Sequence, residues 1–217
     1  MKPLVVLLHG LARGKGSMAK LGKHLHAEGF DVWSHTYPSR QHAIGELAAR
    51  LADAIAVAAG GRSVCAVTHS MGGVIVRHLG DPRIRWARIA MLAPPNQGSQ
   101  LAAGLASNAL YRWFYGPAGS ELADGAAWPP PPAPFAVIAG TRNLAWTNPS
   151  SWTVGRRFAP GVANDGTVAV DETRLAGMAA FAEVGATHTW IMNDPHVARL
   201  VVRFLRTGVF DEPSVTV

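Results

Sequence analysis

A chain of 217 residues that is 48% hydrophobic and only 16% charged can bury one sizeable core, which excludes a disordered segment, and no apolar run approaches the roughly 20 residues of a membrane span. Its single cysteine, Cys65, excludes an internal disulfide framework and reads as a small hydrophobe inside a strand. The net charge of +6 comes without a nucleic-acid motif, so no nucleic-acid partner is expected, and the clusters Arg83, Arg85, Arg88 and Arg199, Arg203, Arg206 read as solvated faces.

The opening stretch "PLVVLLHG" is too short for a signal-peptide core, so a cytoplasmic location is expected, although a trimmed secreted form would read the same. "LVVLLHG" (4–10) is a continuous apolar run, as in a strand buried on both faces. A helix is predicted from about Ser17 to Glu28, with Met18, Leu21 and Leu25 at helical spacing and Gly29 as its stop. A strand follows over 30–38, then a helix over 43–59 ended by Gly60-Gly61, a strand over 63–69 and a helix over 72–79. Further strands are expected at 88–95, 135–140 and within 179–188. Asp194 caps a final helix, Pro195 sits in its first turn, and Gly208 closes it.

Strand and helix alternate throughout. The predicted fold is therefore α/β, a single domain over 1–217, with a mostly parallel central sheet of about six strands and helices on both faces. Two segments interrupt the alternation, 101–134 and 141–164, and are expected to be lid or pocket-wall insertions. Ligands on such sheets bind at the carboxyl ends of strands, which directs attention to His9-Gly10, Ser70, Pro94 to Ser99, Thr141 onward and His188.

Ser70 lies in "AVTHSMGGV" (66–74), between a strand and a helix. A serine on such a sharp turn is pushed clear of the sheet as a nucleophile, and the alternative is a serine that merely caps the helix. The turn needs small neighbours, which Gly72 and Gly73 supply, whereas Thr68 is a β-branched residue where a Gly-x-Ser-x-Gly pattern would have glycine. "LLHGLARG" (7–14) places a second loop at the same edge. There the amides of Leu11 and Met71 could face each other as donors to a negative oxygen. His9 orders that loop. A serine needs a general base, and of nine histidines His188 follows the last strand on a loop, while its rival His196 falls inside the final helix. An imidazole needs a carboxylate: Asp165 in "ANDGTVAV" fits, with Asp171 and Glu172 as rivals.

Taken together, "LLHGL" (7–11), "VTHSMGG" (67–73), "LAPPNQGS" (92–99), "NDGTV" (164–168) and "THTWIMNDP" (187–195) give a chain that resembles a small bacterial lipase/esterase of the α/β-hydrolase superfamily. The resemblance implies a catalytic triad of Ser70, Asp165 and His188, oxyanion donors at Leu11 and Met71, carboxylic-ester substrates and no cofactor or metal. His9, His69, Asn96 and Trp113 are then expected to contact substrate, and the aromatics of Tyr111–Tyr115 to form an apolar mouth. Asn96 and Ser99 are also candidates to cap a helix. The expected partner is a small-molecule or lipid ester, with transient contact to a lipid surface and no obligate protein partner. A thioesterase or acyltransferase using the same serine is the alternative, followed by a non-catalytic hydrolase-like module.

Overall fold

The computed structural model describes residues 2–105, 107–143 and 158–210. Among the described residues six strands form: β1 (Leu4–Leu8), β2 (Asp31–Ser34), β3 (Ser63–His69), β4 (Arg85–Leu92), β5 (Phe135–Gly140) and β6 (Ala180–Val184). All pair in parallel, in the order β2-β1-β3-β4-β5-β6. The helices are α1 (Ala19–Ala27), α2 (Ile44–Ala59), α3 (Met71–Arg77), α4 (Gln100–Leu105), α5 (Ala109–Glu121), the single turn α6 (Val170–Thr173) and α7 (Pro195–Thr207).

Side chains of a strand alternate between faces, and here each face has its own apolar cover. Leu4, Val6, Leu8, Val64, Ala66, Ile89 and Met91 pack with Leu47, Leu51 and Ile55 of α2 and with Val74 and Ile75 of α3. Val5, Leu7, Cys65, Val67, Ala90 and Leu92 pack on the other side with Leu21 and Leu25 of α1 and Val197, Val201 and Phe204 of α7. Cys65 is buried and forms no disulfide, as expected of a cysteine inside an apolar strand.

Local chemistry ends several elements where the sequence indicates. Gly60 (φ 55°) and Gly208 (φ 87°) close α2 and α7 in the left-handed conformation, and Asp194 accepts the His196 and Val197 amides at the start of α7. Other boundaries shift. The strand expected at 88–95 runs from Arg85 to Leu92, because Pro94 and Pro95 have no N–H to give a ladder. The strand expected at 30–38 ends at Ser34, and the one within 179–188 ends at Val184.

The insertion at 101–134 contains α4 and α5. Gly116 (φ 68°) and Pro117 kink α5, and a Cβ on Gly116 would overlap the Arg40 carbonyl oxygen. A glycine is therefore required where α5 crosses the loop after β2. Of the insertion at 141–164, residues 144–157, including Trp146 and Trp152, lie outside the described residues.

The order of the strands fixes where a site can form. From β1 the chain moves outward to β2, then crosses back past β1 to β3. The connections leave in opposite directions between β1 and β3, and the crevice at that reversal is where open α/β sheets bind ligands. The loops carrying Leu11 and Ser70 flank this crevice.

Candidate active site

Ser70 follows β3 directly and precedes the first residue of α3. Its backbone is strained, with φ 52° and ψ −124°, a combination a residue with a side chain rarely adopts and one that costs roughly 1–3 kcal/mol. The surroundings enforce it. The Ser70 amide donates to the Leu92 carbonyl (2.9 Å), and its own carbonyl accepts from Gly73 (2.8 Å). α3 lies so close to the end of β1 that a Cβ on Gly72 would stand 2.6 Å from the Leu8 carbonyl oxygen. A Cβ on Gly73 would stand 2.8 Å from Pro94 and 3.4 Å from Thr68 Oγ1. Thr68 is thus accommodated because Gly73, facing it, has no side chain. Its hydroxyl is buried with no hydrogen-bond partner.

The Ser70 hydroxyl donates to His188 Nε2 (3.0 Å), and His188 Nδ1–H donates to Asp165 Oδ2 (2.7 Å). All three residues are buried, with Asp165 only 1% exposed. Asp165 Oδ1 accepts from the amides of Thr167 (3.0 Å) and Val168 (2.8 Å), which fixes the plane of the carboxylate. The His188 amide also donates to the Asp165 carbonyl (3.0 Å), tying the two loops together. Of the rival groups, Asp171 is exposed beside Arg174, and His196 is exposed on α7. Glu172 is buried but faces elsewhere: it accepts from the Gln100 amide (2.7 Å) at the start of α4 and from the Ala169 amide (2.8 Å). Burial raises its pKa above the usual carboxylate value.

Two further histidines support the site as neutral rings. His69 Nε2–H donates to the His188 carbonyl (2.9 Å), and the rings of His69 and His188 lie 4.8 Å apart. His69 lines the cavity at Ser70, and its position under His188 makes it a brace for that loop. His9 Nδ1–H donates to the Gly10 carbonyl (2.9 Å), while its Nε2 accepts from the Tyr37 amide and its ring stacks on Tyr37 at 3.8 Å. Burial lowers the pKa of both, that of His69 strongly, with further lowering of His69 by nearby His188 and Arg13. The unfolded chain takes up protons at these two positions as the pH falls through 6.5, whereas the folded chain takes them up only at lower pH. Stability should therefore be full above that pH and fall below it by up to about 1.4 kcal/mol per pH unit for each ring. Urea unfolding at a series of pH values checks this. His69→Gln, which keeps a donor, should make the acid slope shallower; an unchanged slope would mean that His69 is not a buried neutral ring.

A cavity of about 180 Å³ opens at Ser70. Its walls are Gly10, Leu11 and His188 on the loop side, Leu101, Ala102 and Leu105 from α4, Tyr111, Tyr115 and Leu122 from the α5 region, and Val168. Three residues expected to contact substrate do not line it. Asn96 is buried behind it: its side chain donates to the Thr173 carbonyl (2.8 Å) and its carbonyl accepts from Arg77 (2.7 Å), so it ties loops together. It caps no helix either, since Ser99 supplies the cap of α4. His9 is held by Gly10 and Tyr37 below the loop. Trp113 is 76% exposed on the outer side of α5 and lines a neighbouring cavity, while Tyr111 and Tyr115 face inward. Helical geometry explains the split, because positions i and i+4 share one face and i+2 lies off it. Arg13, which no motif singles out, also lines the Ser70 cavity.

A serine on a strained strand–helix turn, a histidine and an aspartate in chain order Ser, Asp, His, and a parallel sheet with this crossover together describe one superfamily. The model of the alpha/beta hydrolase family matches residues 5–213. The chain belongs to the alpha/beta hydrolase family. No curated protein matches its sequence. Among solved structures, this hydrolase is similar to the mature form of the Bacillus licheniformis lipase BlEst2, at 19% identity over 94% of this chain and 91% of that one, with a TM-score of 0.73. It is similar to the metagenomic carboxyl esterase MGS0156 at 19% identity over 86% of this chain and 64% of that one (TM-score 0.68). It is also similar to the monoacylglycerol lipase of Paleococcus ferrophilus, at 21% identity over 94% and 95% of the two chains (TM-score 0.59). At these identities the likeness is one of fold.

Proposed function

We propose that this alpha/beta hydrolase cleaves carboxylic esters through an acyl-enzyme on Ser70. The observation that carries the reading is the hydrogen-bonded chain Ser70–His188–Asp165, held on a strained turn at the floor of an apolar cavity. His188 Nε2 takes the hydroxyl proton as Ser70 Oγ attacks the acyl carbon, and returns it to the departing alcohol. Asp165 holds the imidazole with its proton on Nδ1 and stabilises the imidazolium. Water, activated by the same His188, releases the acid. The Met71 amide, at the start of α3 where helical N–H groups lack partners, and the Leu11 amide across the crevice stabilise the oxyanion. The acyl chain lies among Leu101, Leu105 and Leu122. Leu110, Trp113 and Phe114, which are 71%, 76% and 43% exposed, give α5 an outer surface suited to transient contact with lipid.

A fluorophosphonate probe tests the nucleophile. Wild-type protein should be labelled at Ser70, and Ser70→Ala should lose both labelling and about 10⁵-fold in ester turnover. A series of p-nitrophenyl esters beside matched acyl-thioesters then separates an esterase from a thioesterase. Folded wild type that neither labels nor turns over any ester would refute the reading.

A further inference from the structure

We infer that the ester attacked by Ser70 carries a phosphate on its alcohol half, held by Arg13 and Arg40 in a second cavity that adjoins the serine cavity; this rests on the ester-hydrolase reading above. Arg13 stands two residues beyond Leu11 and lines both spaces. The second is wide and open, about 460 Å³, and its lining includes Arg13, Arg40, Ser39, Gln41 and Trp113. The two spaces differ in chemistry. The first is walled on the α4–α5 side by aliphatic and tyrosine side chains, as an acyl chain requires, and the second is lined by two arginines.

Neither guanidinium has a carboxylate partner among the described residues. Arg13 is partly buried, and the loss of solvent lowers its pKa. A desolvated cation without a counter-ion costs free energy that a bound anion would offset. Its charge is near enough to add to the lowering of the His9 and His69 pKa values, after burial. Arg40 is positioned through its Nε–H, which donates to the Phe114 carbonyl, and through its stacking over the Phe114 ring at 4.4 Å. Its two terminal amino groups have no acceptor among the described residues. Ser39 Oγ accepts from the Ala12 amide (3.0 Å), so its own proton can be donated onward. Arg13, Arg40 and Ser39 all line this one space, and planar two-pronged guanidinium donors are matched to the oxygens of a doubly charged phosphate. The alcohol half belongs here because the aliphatic walls take the acyl half, and Arg13 lines both spaces.

The test compares monodecanoylglycerol with its phosphorylated counterpart, monodecanoylglycerol phosphate, at low salt. The wild-type kcat/KM should favour the phosphorylated ester by about tenfold or more, and the preference should shrink at about 0.5 M salt. Arg13→Gln and Arg40→Gln should each move the ratio of the two kcat/KM values toward unity, with Tm reporting that each variant is folded. Decanoyl-coenzyme A serves as a third substrate, and faster turnover of this phosphorylated thioester would overturn the assignment to an alcohol. Turnover of the neutral ester with no preference for the phosphorylated one, or a preference that survives both substitutions, would overturn the phosphate site while leaving the ester hydrolase intact. No turnover of either ester would instead fail the hydrolase reading.

Discussion

Asp165→Asn should lower kcat for ester hydrolysis by about 10⁴-fold while leaving the fold in place. The expectation follows from how the carboxylate is held. Oδ1 accepts two backbone amides, from Thr167 and Val168, and Oδ2 alone faces His188. An asparagine will keep its carbonyl oxygen on those two N–H donors, because turning the amide would set two donors against two donors. Its NH₂ group must then face His188 Nδ1, which has to become an acceptor. The remaining ring proton moves to Nε2, and the imidazole can no longer accept the proton of Ser70. Steady-state kinetics with a p-nitrophenyl ester, beside the circular dichroism spectrum and Tm, decides the matter. A folded variant with more than a tenth of wild-type kcat would remove Asp165 from the role proposed for it.

Gly72→Ala should damage both stability and activity, with activity the more sensitive. The added methyl would stand 2.6 Å from the Leu8 carbonyl oxygen and 3.0 Å from that of His9. These are backbone atoms at the end of β1 and cannot swing aside as a flexible side chain would. α3 must move away from β1, at a cost of roughly 1–3 kcal/mol for an overpacked contact. The same movement carries Ser70 and the Met71 amide away from Leu11, and a displacement of about 1 Å at a reacting centre can cost 10²-fold in rate. Gly45→Ala gives the contrast. That glycine lies inside α2 with no atom near its missing Cβ, so alanine there should stabilise by about 0.5–1 kcal/mol without touching kcat. Thermal unfolding and kcat/KM for both variants check the pair; a Gly72→Ala enzyme with wild-type values would mean that α3 and β1 are not as tightly apposed as described.

Some of the site could be read before any coordinates. Ser70, Asp165 and His188 each follow a strand in an alternating pattern, so a parallel sheet has to bring them to one edge, and the fold brings them within hydrogen-bonding distance of one another. The walls of the cavity were less legible. Asn96, His9 and Trp113 were all expected to meet substrate; Asn96 and His9 tie loops together, and Trp113 lines the neighbouring cavity instead of the one at Ser70. Which residues face the cavity depends on how the chain between β4 and β5 returns over the sheet. That return is fixed by contacts between residues far apart in sequence. Arg77 binds the carbonyls of Asn96, Trp128 and Pro129, and Glu172 holds the first amide of α4. Glu121 of α5 likewise accepts the first amide of α2 (2.7 Å), a cap that no residue near α2 supplies.

The sequence by itself determined the order of most strands and helices of the sheet, because apolar periodicity, Gly60, Asp194-Pro195 and Gly208 act within a few residues of where they stand. It also determined the sheet edge on which chemistry can occur, because right-handed crossovers between parallel strands leave little choice. Only the tertiary structure decided which histidines are braces, which side of α5 faces the cavity, and that Arg13 joins an apolar space to a cationic one. These depend on close approaches such as Gly72 to Leu8 and Gly116 to Arg40, where atoms distant along the chain compete for the same volume. No local pattern of residue types encodes such a competition.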